Sequence, residues 1–456
     1  MSFVATLAIA VLLILRPQEI WPALAAFRPL EAFTVLAAVG IGRDLLLARR
    51  AAGAFSPQLP YLGALVVIAY VATVLNVGAK GFAIATAPAA FGAIFMLVVL
   101  YGARSLSQIR ALLALLTVLG VLVSAVAVHQ AGVPRQCIRL SEHGLDAIAS
   151  GVPDGRDCEI PYDCRKDGDE DAAYACERIG LFRTVSIAGR VRWRGQLADP
   201  NELSVYIGAI LPFLFAFGAS RGRPHRWLLA LPAVALGLYT VVLTQSRGGQ
   251  LVIGTVVAIA FVRHHGLKGL GMGALVALPV IFYGGRQGDG AEASSQERMG
   301  LLYDGISFVI MHPLLGIGVD QFNEAEGHTP HNAYLLAAAE LGLPGLFAWS
   351  GLFWASLKIP IAVVRSAPDE VPDGSRTIAL ALITSFAGIA VGIFFLSFTF
   401  KQLLFIWFGL SGALYLAVRE ENPKFFVGTG ARDVALVAIA DATLLVLLYF
   451  LTRHRS

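Results

Sequence analysis

Residues 327–345 read GHTPHNAYLLAAAELGLPG, and His331 and Asn332 are the side chains there with the most chemistry to offer. Pro330 precedes them, an apolar run follows, and a Gly-Leu-Pro-Gly break from Gly342 to Gly345 ends it. This order puts the histidine at a helix start, where unpaired backbone N–H groups attract anions and favour neutral imidazole. Neutral imidazole is the form that takes a proton from a hydroxyl. A lone histidine is more often structural than catalytic, and spacing alone favours the structural role. Glu340, nine residues on, is not paired with it.

A second set of residues suits phosphate. Arg178, Arg183, Arg190, Arg192 and Arg194 follow one another with no acid before Asp199, just ahead of an apolar run. The guanidinium fork matches phosphate oxygens bidentately, although solvent or lipid head groups also satisfy such arginines. Arg247 stands in Gln245-Ser246-Arg247-Gly248-Gly249, which interrupts an apolar run that starts at Trp227. The two glycines are expected to let the backbone turn or a ligand approach closely. A deeply placed arginine there costs about 2–3 kcal/mol, so it reads as functional, with snorkelling at a helix end as the plain alternative. Arg298 opens a half-apolar stretch in which Met299, Leu302, Ile306, Phe308, Val309 and Ile310 suit a helix lying on a bilayer surface. His312-Pro313 is expected to end that helix.

These groups need a scaffold, and the composition points to a membrane. The 456 residues are 57% hydrophobic and 14% charged, with mean hydropathy +0.70, which excludes an ordinary soluble globule. Apolar runs near twenty residues recur, each able to cross a hydrocarbon core about 30 Å thick as a helix. Candidate spans are 2–15, 29–47, 60–77, 84–101, 110–131, 202–219, 227–244, 249–262, 268–283, 333–357, 377–397, 402–418 and 434–451. The fold expected is an all-α polytopic membrane protein with about 12–13 transmembrane helices. If 2–15 or 402–418 is re-entrant, the Arg453-His454-Arg455 tail returns to the cytoplasm. With the N-terminus inside, cytoplasmic linkers hold sixteen Lys or Arg against five in the opposite short linkers, and this bias sets the orientation.

Two hydrophilic stretches, 132–201 and 284–332, then face outward. They divide the chain into an N-terminal bundle (1–131), the first loop, helices at 202–283, the second loop and C-terminal helices at 333–456. Cys137, Cys158, Cys164 and Cys176 all fall in the first loop. Four cysteines confined to one exported loop read as two disulfides, with three connectivities open. Their spacing lacks the close Cys-x-x-Cys pair of a zinc site.

The residues resemble the O-antigen ligase and polymerase superfamily of bacterial membrane glycosyltransferases. The hallmark is His-Asn, nine residues, then Gly-x-x-Gly, here His331-Asn332 and Gly342-Leu343-Pro344-Gly345. HPLLGIGVDQF at 312–322 looks like the segment before the histidine, Arg247 to Leu251 like an Arg-x-x-x-Leu element, and Asp199-Pro200-Asn201 like an Asp-Pro-Asn element after a basic stretch. The resemblance covers about 190–345. It implies a GT-C-like architecture in the bacterial inner membrane with the active site facing the periplasm. It also implies a glycan donor on undecaprenyl pyrophosphate, no metal and no further cofactor. No Asp-x-Asp pair borders the outer ends of the spans, so arginines would stabilise the leaving pyrophosphate: Arg247 first, then Arg298 and one of Arg190, Arg192 or Arg194. His331 would deprotonate or orient the acceptor hydroxyl, with Asn332 helping to fix it, and a single displacement would invert the anomeric carbon. The acceptor is lipid A–core for a ligase, a second lipid-linked glycan for a polymerase, or a protein side chain. A transporter of the lipid-linked glycan is the reading from another class, and nucleic acid is not an expected partner.

Overall fold

The computed structural model describes residues 1–47, 55–140, 151–166, 172–219, 223–266, 268–269, 271–275 and 289–453. Continuous apolar sequence leaves helix as the local solution throughout. The main helices are α1 (Ser2–Leu15), α2 (Pro29–Leu47), α3 (Leu59–Val77), α4 (Lys80–Gly102, with a π-type turn around Pro88) and α5 (Leu106–Gly132). A small sheet, β1 (Arg135–Arg139), β2 (Val152–Asp157) and β3 (Tyr174–Arg178), encloses the short helix α6 (Pro161–Lys166). Then come α7 (Pro200–Gly218), α8 (Trp227–Leu243), α9 (Arg247–His265), α10 (Asp289–Met311), α11 (Gln321–Glu326), α12 (Ala333–Arg365), α13 (Ser375–Gly392), α14 (Gln402–Glu421) and α15 (Ala431–Arg453).

Ten helices among the described residues are long and apolar enough to cross a bilayer, so the all-α polytopic fold stands. The ten coincide with ten of the thirteen runs read from sequence. The other three differ for physical reasons. Helix α1 has 14 residues, about 21 Å at 1.5 Å per residue. Helix α9 starts with Arg-Gly-Gly-Gln and ends with Arg-His-His, which trims its apolar window. The run 268–283 lies largely outside the described residues.

The chain packs as two units. The first comprises 1–9, 31–114 and 287–456. Helix α14 is its buried axis and packs closely on α4 through glycines. A Cβ on Gly92 would sit 3.0 Å from the Phe405 ring, and one on Gly409 2.7 Å from Val99 Cβ. Small residues at such crossings let helix backbones approach, the usual route to helix association in lipid. Trp349, Phe353, Phe386 and Phe408 pack beside them, partly stacked and partly edge-on. Gln58 is satisfied inside this core: its Nε2 donates to the Ser356 hydroxyl and the Phe408 carbonyl.

The second unit comprises 10–30 and 115–286. Helix α7 is its centre, lying against α8 and α9, with Tyr206 O–H donating to the Leu116 carbonyl at 2.7 Å. The three-stranded antiparallel sheet runs in the order β2-β1-β3. Its disulfides are Cys137–Cys164 and Cys158–Cys176, which resolves the open connectivity. In β1 and β3, Cys137 and Cys176 stand opposite each other, yet each bonds elsewhere. Cys137 joins the α6 cysteine, and Cys176 joins the one between β2 and α6.

Candidate active site

His331 ends a short loop in the first unit. Helix α11 is closed by Gly327 at φ 72°, and the chain runs through Thr329-Pro330 to His331, whose own φ is 50°. A non-glycine residue in the left-handed region is uncommon, histidine less so than most, and costs on the order of 1–3 kcal/mol. Its surroundings fix it there. Asn332 turns to extended backbone and caps α12, its Oδ1 accepting the Leu335 N–H at 2.9 Å. One residue on, the Ala333 carbonyl accepts the Thr399 hydroxyl at 2.8 Å, and the Trp349 indole N–H holds the Thr399 carbonyl at 2.9 Å. Asn332 is therefore a helix cap, buried to 1% exposure, while the His331 ring is half-buried. The Asn332 Nδ2 has no hydrogen-bond partner among the described residues.

The glycine break also has a physical cause. Gly342 adopts φ 71°, ψ −176°, a region essentially reserved for glycine. It splits α12 into a short first limb, 333–341, and a long second one. The split frees backbone groups that the preceding segment takes up. Ile317 N–H donates to the Ala339 carbonyl at 3.0 Å and Gly318 N–H to the Glu340 carbonyl at 2.9 Å. Leu343 N–H donates to the Pro313 carbonyl at 2.8 Å. Approach is so close that a Cβ on Gly342 would sit 2.5 Å from the Leu314 carbonyl carbon, and one on Gly316 2.3 Å from that of Glu340. A Cβ on Gly345 would meet Leu341. The 312–322 segment and the Gly-x-x-Gly motif are thus two sides of one contact.

Helix α10 differs from expectation. It begins at Asp289, not near Arg298, and buries Leu301, Ile306 and Val309 while Ile310 and Met311 stay exposed. Gly305 lies against Leu335 and Phe322, so the buried stripe faces protein. It ends before His312-Pro313 as expected, with His312 N–H still bonded to the Phe308 carbonyl. Arg298 is half-buried on this helix. Its neighbour Glu297 lies 3.7 Å from His328, three residues before His331. Asp304, farther along the helix, is held above the usual carboxylate range by burial. Glu326 at the end of α11 is raised too, by burial and then by the Asp304 charge.

The second unit gathers the other three motifs. Asp199 caps α7, its Oδ1 accepting the Asn201 N–H at 2.6 Å. Ser246 caps α9 by accepting the Gly249 N–H at 3.0 Å, which makes Arg247 the first residue of that helix, with its side chain exposed. Arg190 joins the two caps: Nε donates to the Thr244 carbonyl at 2.7 Å and an Nη to Asn201 Oδ1 at 2.9 Å. The basic run, the Asp-Pro-Asn element and the Ser-Arg-Gly-Gly element therefore meet at one buried guanidinium. Arg192 is buried as well, donating to the Val185 carbonyl at 2.7 Å while its N–H reaches Gln130. Arg194, half-buried, donates to the Glu19, Phe182 and Arg183 carbonyls. Burial holds its pKa below the usual guanidinium value, with the Glu19 charge opposing and the Arg183 charge adding to the shift.

The turn before Arg247 is not made by the glycines. Gln245 supplies the left-handed residue at φ 51°, and a Cβ on Gly249 would lie 2.3 Å from Ser204 Cβ, so Gly249 serves close packing of α9 on α7. Gly248 lies in the first turn of α9. Both candidate motifs share one local plan: a left-handed residue, an extended capping residue, then a helix. Sequence reading missed Thr244, Gln130 and Glu177. The Glu177 carboxylate gathers the Ser186 hydroxyl and the Ala188 and Gly189 N–H groups, shaping the loop before Arg190. Two of these three act through polar side chains that look ordinary in sequence, and Thr244 through a backbone carbonyl.

A comparison with curated proteins found no match. The family described as O-antigen ligase matches residues 232–350, a stretch that holds Arg247, Arg298 and the His331–Gly345 motif. The basic run and Asp199 lie before it. Residues 232–350 are thus similar to the O-antigen ligase family, and this likeness supports the resemblance to the O-antigen ligase and polymerase superfamily.

Proposed function

We propose that the protein is an O-antigen ligase-type glycosyltransferase that moves a glycan from undecaprenyl pyrophosphate to an acceptor hydroxyl on the periplasmic face, without a metal. The observation that carries this reading is the strained His331 backbone, held at φ 50° between Pro330 and the capping Asn332, inside a matched O-antigen ligase domain. Strain of this kind persists where surroundings over-determine it and clusters at functional sites. The His331 imidazole takes the acceptor proton as the acceptor oxygen bonds to the anomeric carbon. The bond from that carbon to the pyrophosphate oxygen breaks, its electron pair leaves with the lipid pyrophosphate, and the configuration inverts.

Arg247 is the first residue to hold the leaving pyrophosphate, because its side chain is exposed at the start of α9, where helix dipole and guanidinium both favour an anion. Arg298 is the second. Arg190 donates to the Thr244 carbonyl and Asn201, which suits bracing the Arg247 turn better than direct contact, and Arg192 donates to the Val185 carbonyl of its own loop. Lipid A–core is the acceptor favoured here. Polymerisation or protein O-glycosylation would use the same chemistry. The positive-inside bias of the linkers supports the periplasmic assignment.

A glycan profile of a deletion strain tests this reading. Long chains accumulating on the lipid carrier, with none on lipid A–core, support the ligase. Single repeat units on the final acceptor indicate a polymerase instead. An unchanged distribution of glycan between carrier and acceptor would overturn the transferase reading.

A further inference from the structure

The tip that joins β3 to the basic run is strained and apolar, and the transfer chemistry makes no use of it. Phe182 and Arg183 both adopt φ 57°, two consecutive non-glycine residues in the left-handed region, and such strain persists only where the surroundings over-determine it. Gly180 N–H donates to the Thr184 carbonyl at 2.8 Å and closes the turn, and the Thr184 hydroxyl donates to the Leu181 carbonyl at 3.1 Å. Leu181, Phe182 and Arg183 are all exposed on this turn, Phe182 to 44%.

The surroundings that hold the tip are the end of α1 and the residues just after it. The Arg194 guanidinium donates to the Phe182 and Arg183 carbonyls and also to the Glu19 carbonyl. Trp193, itself buried, meets Phe182 edge-on with ring centroids 6.3 Å apart and gives its indole N–H to the Ile14 carbonyl at 2.7 Å. Gly195 lies against the Arg16 side chain with no room for a Cβ. Residues 14, 16 and 19 thus carry the tip, and their place is sharply defined. Leu15 ends one apolar helix, and Pro22–Leu46 is apolar enough to cross a bilayer. Residues 16–21 therefore stand at a bilayer boundary. Trp21, Leu24 and Phe27, which follow, are exposed as well.

We infer that Leu181, Phe182 and Arg183 form a membrane-interface anchor: the two apolar side chains enter the head-group region of the bilayer, and the Arg183 guanidinium meets lipid phosphate. With the N-terminus inside, the leaflet is the outer one. The residue types suit that depth. Leu181 and Phe182 leave water for the upper acyl chains, aromatic rings concentrate at membrane–water interfaces, and the guanidinium fork matches phosphate oxygens. The anchor lies between the sheet and the basic run, and across its base the Arg178 carbonyl accepts the Ser186 N–H at 3.0 Å. It therefore sets the height at which β3 and the residues from Arg190 to Arg194 stand over the lipid. The inference rests on the membrane reading of α1 and Pro22–Leu46 and not on the chemistry at His331.

The test places an indole at the tip, as Phe182→Trp and separately as Leu181→Trp, in the full-length protein reconstituted into vesicles of phosphatidylethanolamine and phosphatidylglycerol. Emission from the six native tryptophans is subtracted with wild type. The added emission should fall about twofold or more in lipid brominated near the head group, and less in lipid brominated at the chain ends. Adding Arg183→Glu to either variant should raise quenching by aqueous acrylamide about twofold, because lipid phosphate repels a carboxylate. Added emission that acrylamide quenches and brominated lipid does not would overturn the inference. Protection that appears only when a glycolipid acceptor is supplied would overturn it too, in favour of a substrate contact. Where neither indole variant folds, wild type with a photoreactive phospholipid decides. Cross-links at 181–183 support the anchor, and cross-links confined to lipid-facing helices such as α8, with its exposed Leu228 and Leu229, overturn it.

Discussion

Gly342→Ala is expected to cost both stability and activity, and the structure gives the size of the effect. An alanine at φ 71°, ψ −176° is strained by about 1–3 kcal/mol before any contact is counted. Its methyl group would also lie 2.5 Å from the Leu314 carbonyl carbon and 2.6 Å from the oxygen, so the 313–318 segment must move. Three backbone hydrogen bonds depend on that segment: Leu343 to Pro313, Ile317 to Ala339 and Gly318 to Glu340. Each is worth about 0.5–1.5 kcal/mol. Losing one or two of them brings the total to roughly 1.5–6 kcal/mol. Thermal unfolding of the purified protein in detergent, followed by tryptophan fluorescence, should show a drop of roughly 3–10 °C, with transfer activity falling alongside. Gly63→Ala in α3 is the control, because a Cβ there meets nothing within 4 Å and alanine is the better helix former. A Gly342→Ala protein that melts and transfers like wild type would refute the strain-and-contact account of the motif.

Other outcomes follow from the same structure. Asn332→Ala should lose about 1 kcal/mol through the missing cap, whereas Asn332→Asp should retain it; paired melting curves distinguish them. Peptide mapping without reduction should recover Cys137–Cys164 and Cys158–Cys176, and opening one bridge should destabilise the sheet by about 3 kcal/mol. Any other pairing would refute the sheet as described. The raised Asp304 pKa means that the folded state holds this proton more tightly than the unfolded one. Its contribution is complete below the ordinary carboxylate range and is lost as pH rises through the folded value. Asp304→Asn should therefore melt slightly higher than wild type at pH 7, by well under about 1 kcal/mol given partial solvent screening, and no higher at pH 3.

The membrane helices and the four motifs were legible because both are written in local sequence. Apolar runs of bilayer length admit one backbone solution, and His331-Asn332 followed by Gly342 and Gly345 has a fixed spacing. What eluded the sequence is what depends on distant backbone. The partners of Arg190, Arg192 and Arg194 are largely carbonyl groups, which every residue possesses, so residue type could not flag them. The disulfide partners were undecided because spacing permits three pairings, and the small sheet between them has short strands without alternation. Glycines at 248 and 249 suggested a flexible turn, yet the left-handed residue is Gln245. Helix α10 was read as a surface helix because periodicity reports an apolar face and not whether lipid or protein covers it.

The most direct test of the central claim is transfer by the purified protein from an undecaprenyl-pyrophosphate-linked glycan to lipid A–core, comparing wild type with His331→Ala and Arg247→Ala. Wild type is expected to form the product without added metal. His331→Ala should lose transfer by at least about 100-fold while still binding the donor, and Arg247→Ala should bind the donor more weakly. Full transfer by the His331→Ala protein, correctly folded in the membrane, would contradict it.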